Sequence, residues 1–230
     1  MAAKRKTGRD SRSKPRGPLT RERVLRAALR IADEGGLEAL SMRAIGSRLG
    51  VEAMSLYHHV AGKDEVLDGI ADLVLTEIDL PADEADWRAA MRARALSARE
   101  AFARHPWAPA LVDARVRGGP GRLRYLETVL AILRRAGFTL ENAERAFSLL
   151  DAYLYGFCQQ SATRAATDAG GAGAAKAFLR ALSTQEFPNL AAMAALQAAG
   201  PGHDEDRDFE FGLDLILDGL QRVLDEDWVH

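Results

Sequence analysis

Apolar residues recur every three or four positions along most of this chain, which is the spacing of one face of an α-helix. No segment alternates apolar and polar residues as a half-buried strand does, and the sequence contains no repeat of fixed length. Glycine and proline clusters interrupt the helical pattern at several points. The sequence therefore predicts an all-α fold. In the second part of the chain, helices are expected near residues 87–104, 121–136, 140–161, 174–182, 190–199 and 208–226.

Four further helices are predicted before these. The first runs from a Thr20 cap to a Gly-Gly pair, and the second from a Ser41 cap to Gly50. A third follows over residues 52–60, and Lys63 begins a longer helix that ends at the next proline. Two short helices joined by a tight glycine-containing turn, after a longer supporting helix, have the layout of a helix-turn-helix.

Charge is divided unevenly along the chain. The formal net charge is only −2, yet residues 1–60 hold 13 Lys and Arg against 6 Asp and Glu. Residues 1–18 combine basic side chains with Gly, Ser and Pro, which predicts a disordered basic arm. We therefore expect the N-terminal end to meet a polyanion such as DNA, which the acidic remainder of the chain would repel.

Residues 19–70 closely resemble the DNA-binding domain of the tetracycline-repressor (TetR) family. The likeness is carried above all by Leu49-Gly50-Val51, Ser55-Leu56-Tyr57, His59-Val60 and Lys63. The runs AGFTLENAERAFSLLDAYLYGF and FEFGLDLILDGLQRVL resemble the dimer-forming helices of that family's tetracycline-repressor class. The resemblance implies a helix-turn-helix DNA-binding domain over residues 19–78 and a ligand-binding and dimerisation domain over residues 79–230. It implies a transcription regulator, most simply a homodimeric repressor that a small effector releases from a palindromic operator.

The resemblance also implies which side chains meet the DNA: Arg43, Ala53, Met54, Ser55, Tyr57, His58, His59 and Lys63. Arginine can donate two hydrogen bonds to guanine, a serine hydroxyl can serve either partner, and the methyl groups of alanine and methionine can pack on thymine. Tyr57, His59 and Lys63 are the expected phosphate contacts. The alternative is a solvated helix face for Arg43, Ser55 and His58, with Tyr57 and His59 packed as a hinge.

Two C-terminal helices, over residues 140–161 and 209–224, are apolar over a breadth that calls for burial on more than one side. We predict that they pack with their symmetry mates as an isologous four-helix bundle. The candidate interface residues are Leu149, Tyr153, Gly156, Leu213, Leu217 and Leu220. The alternative is that both helices are central core helices of a monomer.

The predicted effector pocket is mainly apolar and aromatic, which favours a largely hydrophobic effector with one or two polar handles. Its candidate residues are Trp87, Met91, Arg94, Phe102, Trp107, Val112, Arg115, Phe147 and Asp151. By resemblance, Val112 and Gln160 stand where the tetracycline repressor holds magnesium through a histidine and a glutamate. Valine has no donor atom and glutamine has only a neutral carbonyl oxygen, so no metal, no cofactor and no tetracycline are predicted.

The sequence gives little support to other classes of function. An enzyme would have to use His105 or His203 with Asp113, Asp204 or Asp206, and no nucleophile motif or phosphate loop accompanies them. A DNA-binding protein that needs no effector stays open. No apolar run approaches the ~20 residues that cross a bilayer, so we expect a cytoplasmic protein without a membrane partner.

Overall fold

The computed structural model describes residues 17–81, 86–114, 119–180, 185–199 and 204–226, and it describes no side chains for 167–180 or 197–199. Within these residues the chain forms ten α-helices and no strand, which confirms the all-α prediction. No described helix is long and apolar enough to cross a membrane. Most of the basic arm, Arg115 and His203 lie outside the described residues. The helices are α1 (Arg21–Gly35), α2 (Met42–Leu49), α3 (Ala53–Leu56), α4 (Lys63–Leu75), α5 (Trp87–Arg104), α6 (Ala108–Ala114), α7 (Pro120–Arg135), α8 (Leu140–Arg180), α9 (Pro188–Ala199) and α10 (Glu205–Asp225).

The predicted caps of the first two helices are confirmed. The Thr20 hydroxyl accepts a hydrogen bond from the backbone N–H of Arg23 at 3.3 Å, which satisfies one N–H in the first turn of α1. The Ser41 hydroxyl does the same for Ala44 at 3.1 Å at the start of α2. Gly50 ends α2 in the left-handed region, at φ 71°, which an L side chain rarely adopts.

The third and fourth helices are shorter than the sequence predicts. The third was expected to reach residue 60, but α3 ends at Leu56 because the backbone then tightens into turns, with the His59 N–H donating to the Leu56 carbonyl at 2.9 Å. The helix that begins at Lys63 was expected to continue to Pro81, but α4 ends at Leu75. There the Thr76 hydroxyl donates to the carbonyl of Leu73 at 2.6 Å.

One prediction in the second part of the chain was wrong, and one helix was not predicted. The glycines at residues 170–173 were expected to separate two helices, whereas α8 continues through them to Arg180. A glycine lowers helix propensity by about 1 kcal/mol but keeps its backbone N–H, so it weakens a helix without breaking it. The sequence analysis also missed α6, a seven-residue helix too short to show periodicity, with Pro109 in its first turn where proline is tolerated.

The chain divides into two compact units, residues 1–66 and 67–230, with the division inside α4. In the first unit, α1 packs on α2 and α2 on α3 around the buried side chains of Ala28, Ile45 and Leu56. In the second unit, α8 is the central helix and packs against α5, α6, α7 and α10. The domain boundary predicted at residue 78 stays a prediction.

Ion pairs join α5 to α10 in the second unit. The pairs are Arg88 with Asp218, Arg92 with Asp214 and Glu210, and Arg99 with Asp206. Exposed pairs of this kind each contribute about 0–1 kcal/mol, so they orient the two helices more than they stabilise the fold. These ion pairs also neutralise part of the excess of acidic side chains in the C-terminal region.

Gly46 allows the chain to turn closely from α2 into α3. A Cβ atom at this position would lie 2.9 Å from the Val51 carbonyl oxygen and 3.2 Å from the Ala53 nitrogen, and backbone atoms cannot swing away. We predict that Gly46→Ala destabilises the DNA-binding unit by about 1–2 kcal/mol, because overpacking outweighs the gain in helix propensity. Thermal unfolding measures this, with Gly62→Ala as the control, since an added Cβ there meets no atom within 4 Å. Equal stability of the two variants would contradict the prediction.

Candidate DNA-binding and effector-binding sites

The α3 region has one buried side, which packs on the core of its unit, and one side exposed to solvent. Leu56 is fully buried and anchors the short helix, whereas Met54 is 74% exposed and Tyr57 is 48% exposed. The other predicted DNA-contact residues are exposed at Arg43, His58 and Lys63 and partly exposed at Ala53, Ser55 and His59. The structure therefore brings the predicted set to the surface of one unit.

Two arginines of α2 differ in whether they are already paired. Arg48 donates to both carboxylate oxygens of Glu34 at 2.6 Å. Arg43 makes no hydrogen bond or ion pair with any other described residue, so its guanidinium keeps all its donors. Arg43 is thus the α2 arginine that is suited to reach a base.

The turn between α3 and α4 is fixed by Glu65. Its carboxylate accepts the Ala61 N–H at 2.7 Å and pairs with Arg21 of α1 at 2.9 Å. The hydrogen bond from Ala61 and the charge-assisted bond from Arg21 hold the pKa of Glu65 below its usual value. This arrangement positions the start of α4, and with it Lys63, against α1. Sequence reasoning missed Glu65 because no local motif identifies it.

The predicted polar groups of the effector pocket form a buried network. The Arg94 guanidinium of α5, 1% exposed, pairs with the Asp151 carboxylate of α8 and donates from Nε to the Tyr125 hydroxyl of α7 at 2.7 Å. It also lies 5.7 Å from the ring centre of Phe147. Tyr155 donates its hydroxyl to Asp151 at 2.9 Å. Arg94, Phe147 and Asp151 were predicted from the sequence, whereas the two tyrosines were not, because their spacing resembles that of ordinary core residues.

Burial and charge set the ionisation of this network. Burial opposes the charge of Arg94, but the oxygens of Tyr125 and Asp151 more than offset it and raise the arginine pKa. Burial, with the Asp151 carboxylate second, raises the pKa of Tyr155. Burial also raises the pKa of Tyr125. Arg94 is therefore a cation at neutral pH, and the two tyrosines are neutral.

The remaining predicted pocket residues are dispersed. Val112 borders a small void beside the buried network, and this void has no room for a water molecule. Met91 is buried in the core. The rings of Trp107 and His105 pack edge to face, with 5.9 Å between their centres. Trp87 lies apart from the network, against Phe138 and Gln221. Phe102 lines a separate cavity, between α5, α8 and α10, that is open to solvent.

The predicted interface residues divide into two groups. Leu213, Leu217 and Leu220 of α10 are buried within the subunit, whereas Leu149 of α8 is exposed. Tyr153 packs its ring against Gly212 and donates its hydroxyl to the Phe209 carbonyl at 2.9 Å. Gly156 is partly exposed, with nothing within 4 Å of an added Cβ. Two exposed apolar residues of α10, Phe211 and Leu215, were not predicted.

An exposed helix-turn-helix joined in one chain to a helical unit with a cavity of about 360 Å³ that opens to solvent is typical of one class of protein, the DNA-binding transcription regulators that carry a ligand-binding domain. Comparison with known proteins gives the family. Residues 24–70 match the bacterial regulatory proteins of the tetR family, and residues 80–224 match the tetracyclin repressor-like C-terminal domain. The chain belongs to the tetR family.

Characterised relatives align over nearly the whole chain. The HTH-type transcriptional repressor DrrR1 of Streptomyces coeruleorubidus is 38% identical over 225 residues, covering 94% of this chain and 82% of that protein. Tetracycline repressor protein class C of Escherichia coli is 30% identical over 209 residues, covering 89% and 92%. The crystal structure of apo ActR from Streptomyces coelicolor superposes with a TM-score of 0.78 at 33% identity, covering 93% and 100%. The protein is therefore a helix-turn-helix transcription regulator with a C-terminal ligand-binding domain.

The unpaired state of Arg43 generates a prediction about base reading. We predict that Arg43→Ala reduces discrimination at one base pair by about 1–3 kcal/mol, because a bidentate contact to guanine is lost. Tyr57→Phe and Lys63→Ala should instead weaken binding to all sequences alike, as loss of phosphate contacts does. Competition binding against single-base variants of a selected DNA site measures the difference.

Arg48→Ala is the matched control, since it removes the same charge from the same helix but from a guanidinium already held by Glu34. It should leave base preference unchanged. If Arg43→Ala also left every preference unchanged, the base-reading role would be wrong.

Proposed function

We propose that this protein is a repressor that binds an inverted-repeat operator as a symmetric dimer and leaves it when a small, largely hydrophobic effector binds the C-terminal unit. The observation that carries the proposal is the exposed α3 surface, with Met54 74% exposed and Arg43 without a partner among the described residues, in a chain of this family. In this proposal residues 19–78 bind DNA, residues 79–230 bind effector and partner, and the basic arm of residues 1–18 adds contacts to phosphates.

Relatives support both halves of the proposal. DrrR1 is named a transcriptional repressor, and ActR has been solved in complex with actinorhodin and with (S)-DNPA. These are statements about those proteins. The proposal extends effector binding to this chain because its structure superposes on the whole ActR chain of the actinorhodin complex, with a TM-score of 0.79 and 32% identity.

Three of the groups that an enzyme would use, His105, Asp204 and Asp206, have structural partners. His105 is buried and lies 3.3 Å from the Glu77 carboxylate, which also accepts from Arg104 at 2.8 Å. Asp204 caps the N-terminus of α10, and Asp206 pairs with Arg99. These roles favour a regulator without catalysis, as does the naming of the relatives as transcription regulators.

An apolar surface supports the dimer. Phe211 and Leu215 lie one turn apart on α10 and are both exposed, and Leu149 is exposed on the neighbouring α8. A symmetric pair requires the same patch on both copies, and two helices from each copy would form a four-helix bundle. A two-fold axis would also present two α3 helices to one DNA face, about 34 Å or more apart.

We predict that Leu215→Arg separates the dimer into folded subunits and sharply weakens operator binding, because it places a charge in an apolar contact. Leu217→Arg, at a side chain only 1% exposed, should instead unfold the C-terminal unit. Leu123→Arg on α7 is the control, since Leu123 is 62% exposed and outside the proposed contact.

Light scattering gives the mass of each variant, thermal unfolding gives its stability, and fluorescence anisotropy gives its affinity for a selected duplex. A Leu215→Arg chain that remains a dimer with full DNA affinity would overturn the proposed interface. A wild-type chain that is monomeric at micromolar concentration would overturn the proposed dimer.

A further inference from the structure

A cavity of about 360 Å³ opens to solvent between α5, α8 and α10 in the second unit. This volume is sufficient for a drug-sized molecule. Its walls are apolar, with Phe102 and Ala103 from α5 and Cys158, Ala162 and Ala165 from α8. Burial raises the pKa of Cys158 to about 11, so the thiol stays neutral and acts as an apolar wall. Such a cavity suits a flat apolar ligand.

The rim of the cavity is acidic. Three carboxylates line it, from Glu100, Glu205 and Asp206, against one guanidinium, that of Arg99. Arg99 is already engaged by Asp206 at 2.5 Å, and its guanidinium carbon lies 5.2 Å from the ring centre of Phe209. The positive charge of Arg99 is therefore largely balanced within the protein by Asp206 and by the ring of Phe209.

The other two carboxylates are less fully compensated. Glu205 lies 4.0 Å from Arg164, the only charged side chain within ion-pair distance that is described for it. Glu100 is exposed and makes no ion pair with another described residue. The mouth of the cavity therefore attracts positive charge.

One polar atom inside the cavity lacks a partner. The hydroxyl oxygen of Ser161 is buried and makes no hydrogen bond with any described group. Buried polar atoms nearly always have a hydrogen-bond partner in a folded protein. A ligand with a polar edge facing α8 would supply one.

The cavity is adjacent to the buried network. Phe102, which forms part of the wall, contacts the ring of Tyr155 edge-on with 5.7 Å between ring centres. Tyr155 in turn donates to Asp151, the carboxylate partner of Arg94. A ligand bound in the cavity would thus contact Phe102, whose ring touches Tyr155 of the buried network.

We propose that this cavity binds a flat, largely apolar molecule that carries a positive charge, with the rings against Phe102 and Cys158 and the charge towards Glu100 and Glu205. This inference deepens the proposed function, on which it rests for its regulatory meaning, by naming the effector's chemical class.

Three tricyclic probes of similar shape test the charge preference: 9-aminoacridine as a cation, acridine as a neutral ring system and anthracene-9-carboxylate as an anion. Binding to the full-length chain is measured by calorimetry in the absence of DNA. The proposal predicts that the cation binds most tightly and the anion most weakly. Glu205→Gln should weaken the cation about two- to fivefold, as expected for loss of a partly exposed charge pair, and leave acridine unchanged. Equal affinity for all three probes, or preference for the anion, would overturn the proposal.

Variants locate the site. Ala162→Trp fills the cavity and should abolish binding of the cation, while thermal unfolding checks that the chain still folds. Ala165→Phe is a second variant at an exposed wall position, where a larger side chain disturbs the fold less. Glu144→Gln is the matched control, because it removes a carboxylate from the exposed face of α8 outside the cavity. Undiminished binding to both folded filling variants would overturn the location.

Release of a selected DNA duplex by 9-aminoacridine is measured separately, and only release that the folded Ala162→Trp chain does not show counts as an effector response, because this dye also intercalates into DNA. Probe binding without DNA release would contradict the effector function and leave the binding site supported. DNA release by another compound, in a chain that binds none of the tricyclic probes, would support the effector function and overturn the proposed binding site.

Discussion

The C-terminal unit is built around a guanidinium that water does not reach. Arg94 of α5 is 1% exposed, and removing a cation from water costs several kcal/mol unless fixed oxygens replace the water. Asp151 of α8 and Tyr125 of α7 supply those oxygens. Leaving such a charge without its carboxylate costs about 3–5 kcal/mol, so the three helices are held at one point and cannot shift independently.

This constraint shapes what the unit can bind. The void beside Tyr125, Phe147 and Asp151 has no room for a water molecule. The larger cavity has an apolar wall and an acidic rim, and its wall residue Phe102 contacts Tyr155 of the buried network. The buried network around Arg94, whose polar groups are paired, therefore lies next to an open cavity with an acidic rim in the same helical unit.

Caps and amphipathic faces made much of this fold predictable from sequence. Thr20, Ser41 and Gly50 bound α1 and α2 as predicted because their effect is local. The extent of α8 was not predicted because a glycine-rich run resembles a break, and α6 was not predicted because it is too short to show periodicity. The pairing of Arg94 with Asp151 was not predicted because it depends on packing between residues distant in sequence. Periodicity identified α8 and α10 as broadly apolar, but it did not show which leucines face the subunit's own core. The eight predicted DNA contacts reach the surface of one unit because a single short motif contains most of them.

The central claim is that two copies of this chain read one operator through their α3 helices. Selection of duplexes from a random DNA pool by the full-length protein, followed by sequencing, tests it most directly. A symmetric dimer should enrich an inverted repeat with half-sites about one helical turn apart, or somewhat more. Enrichment of a single unpaired half-site, or of no sequence at all, would contradict it.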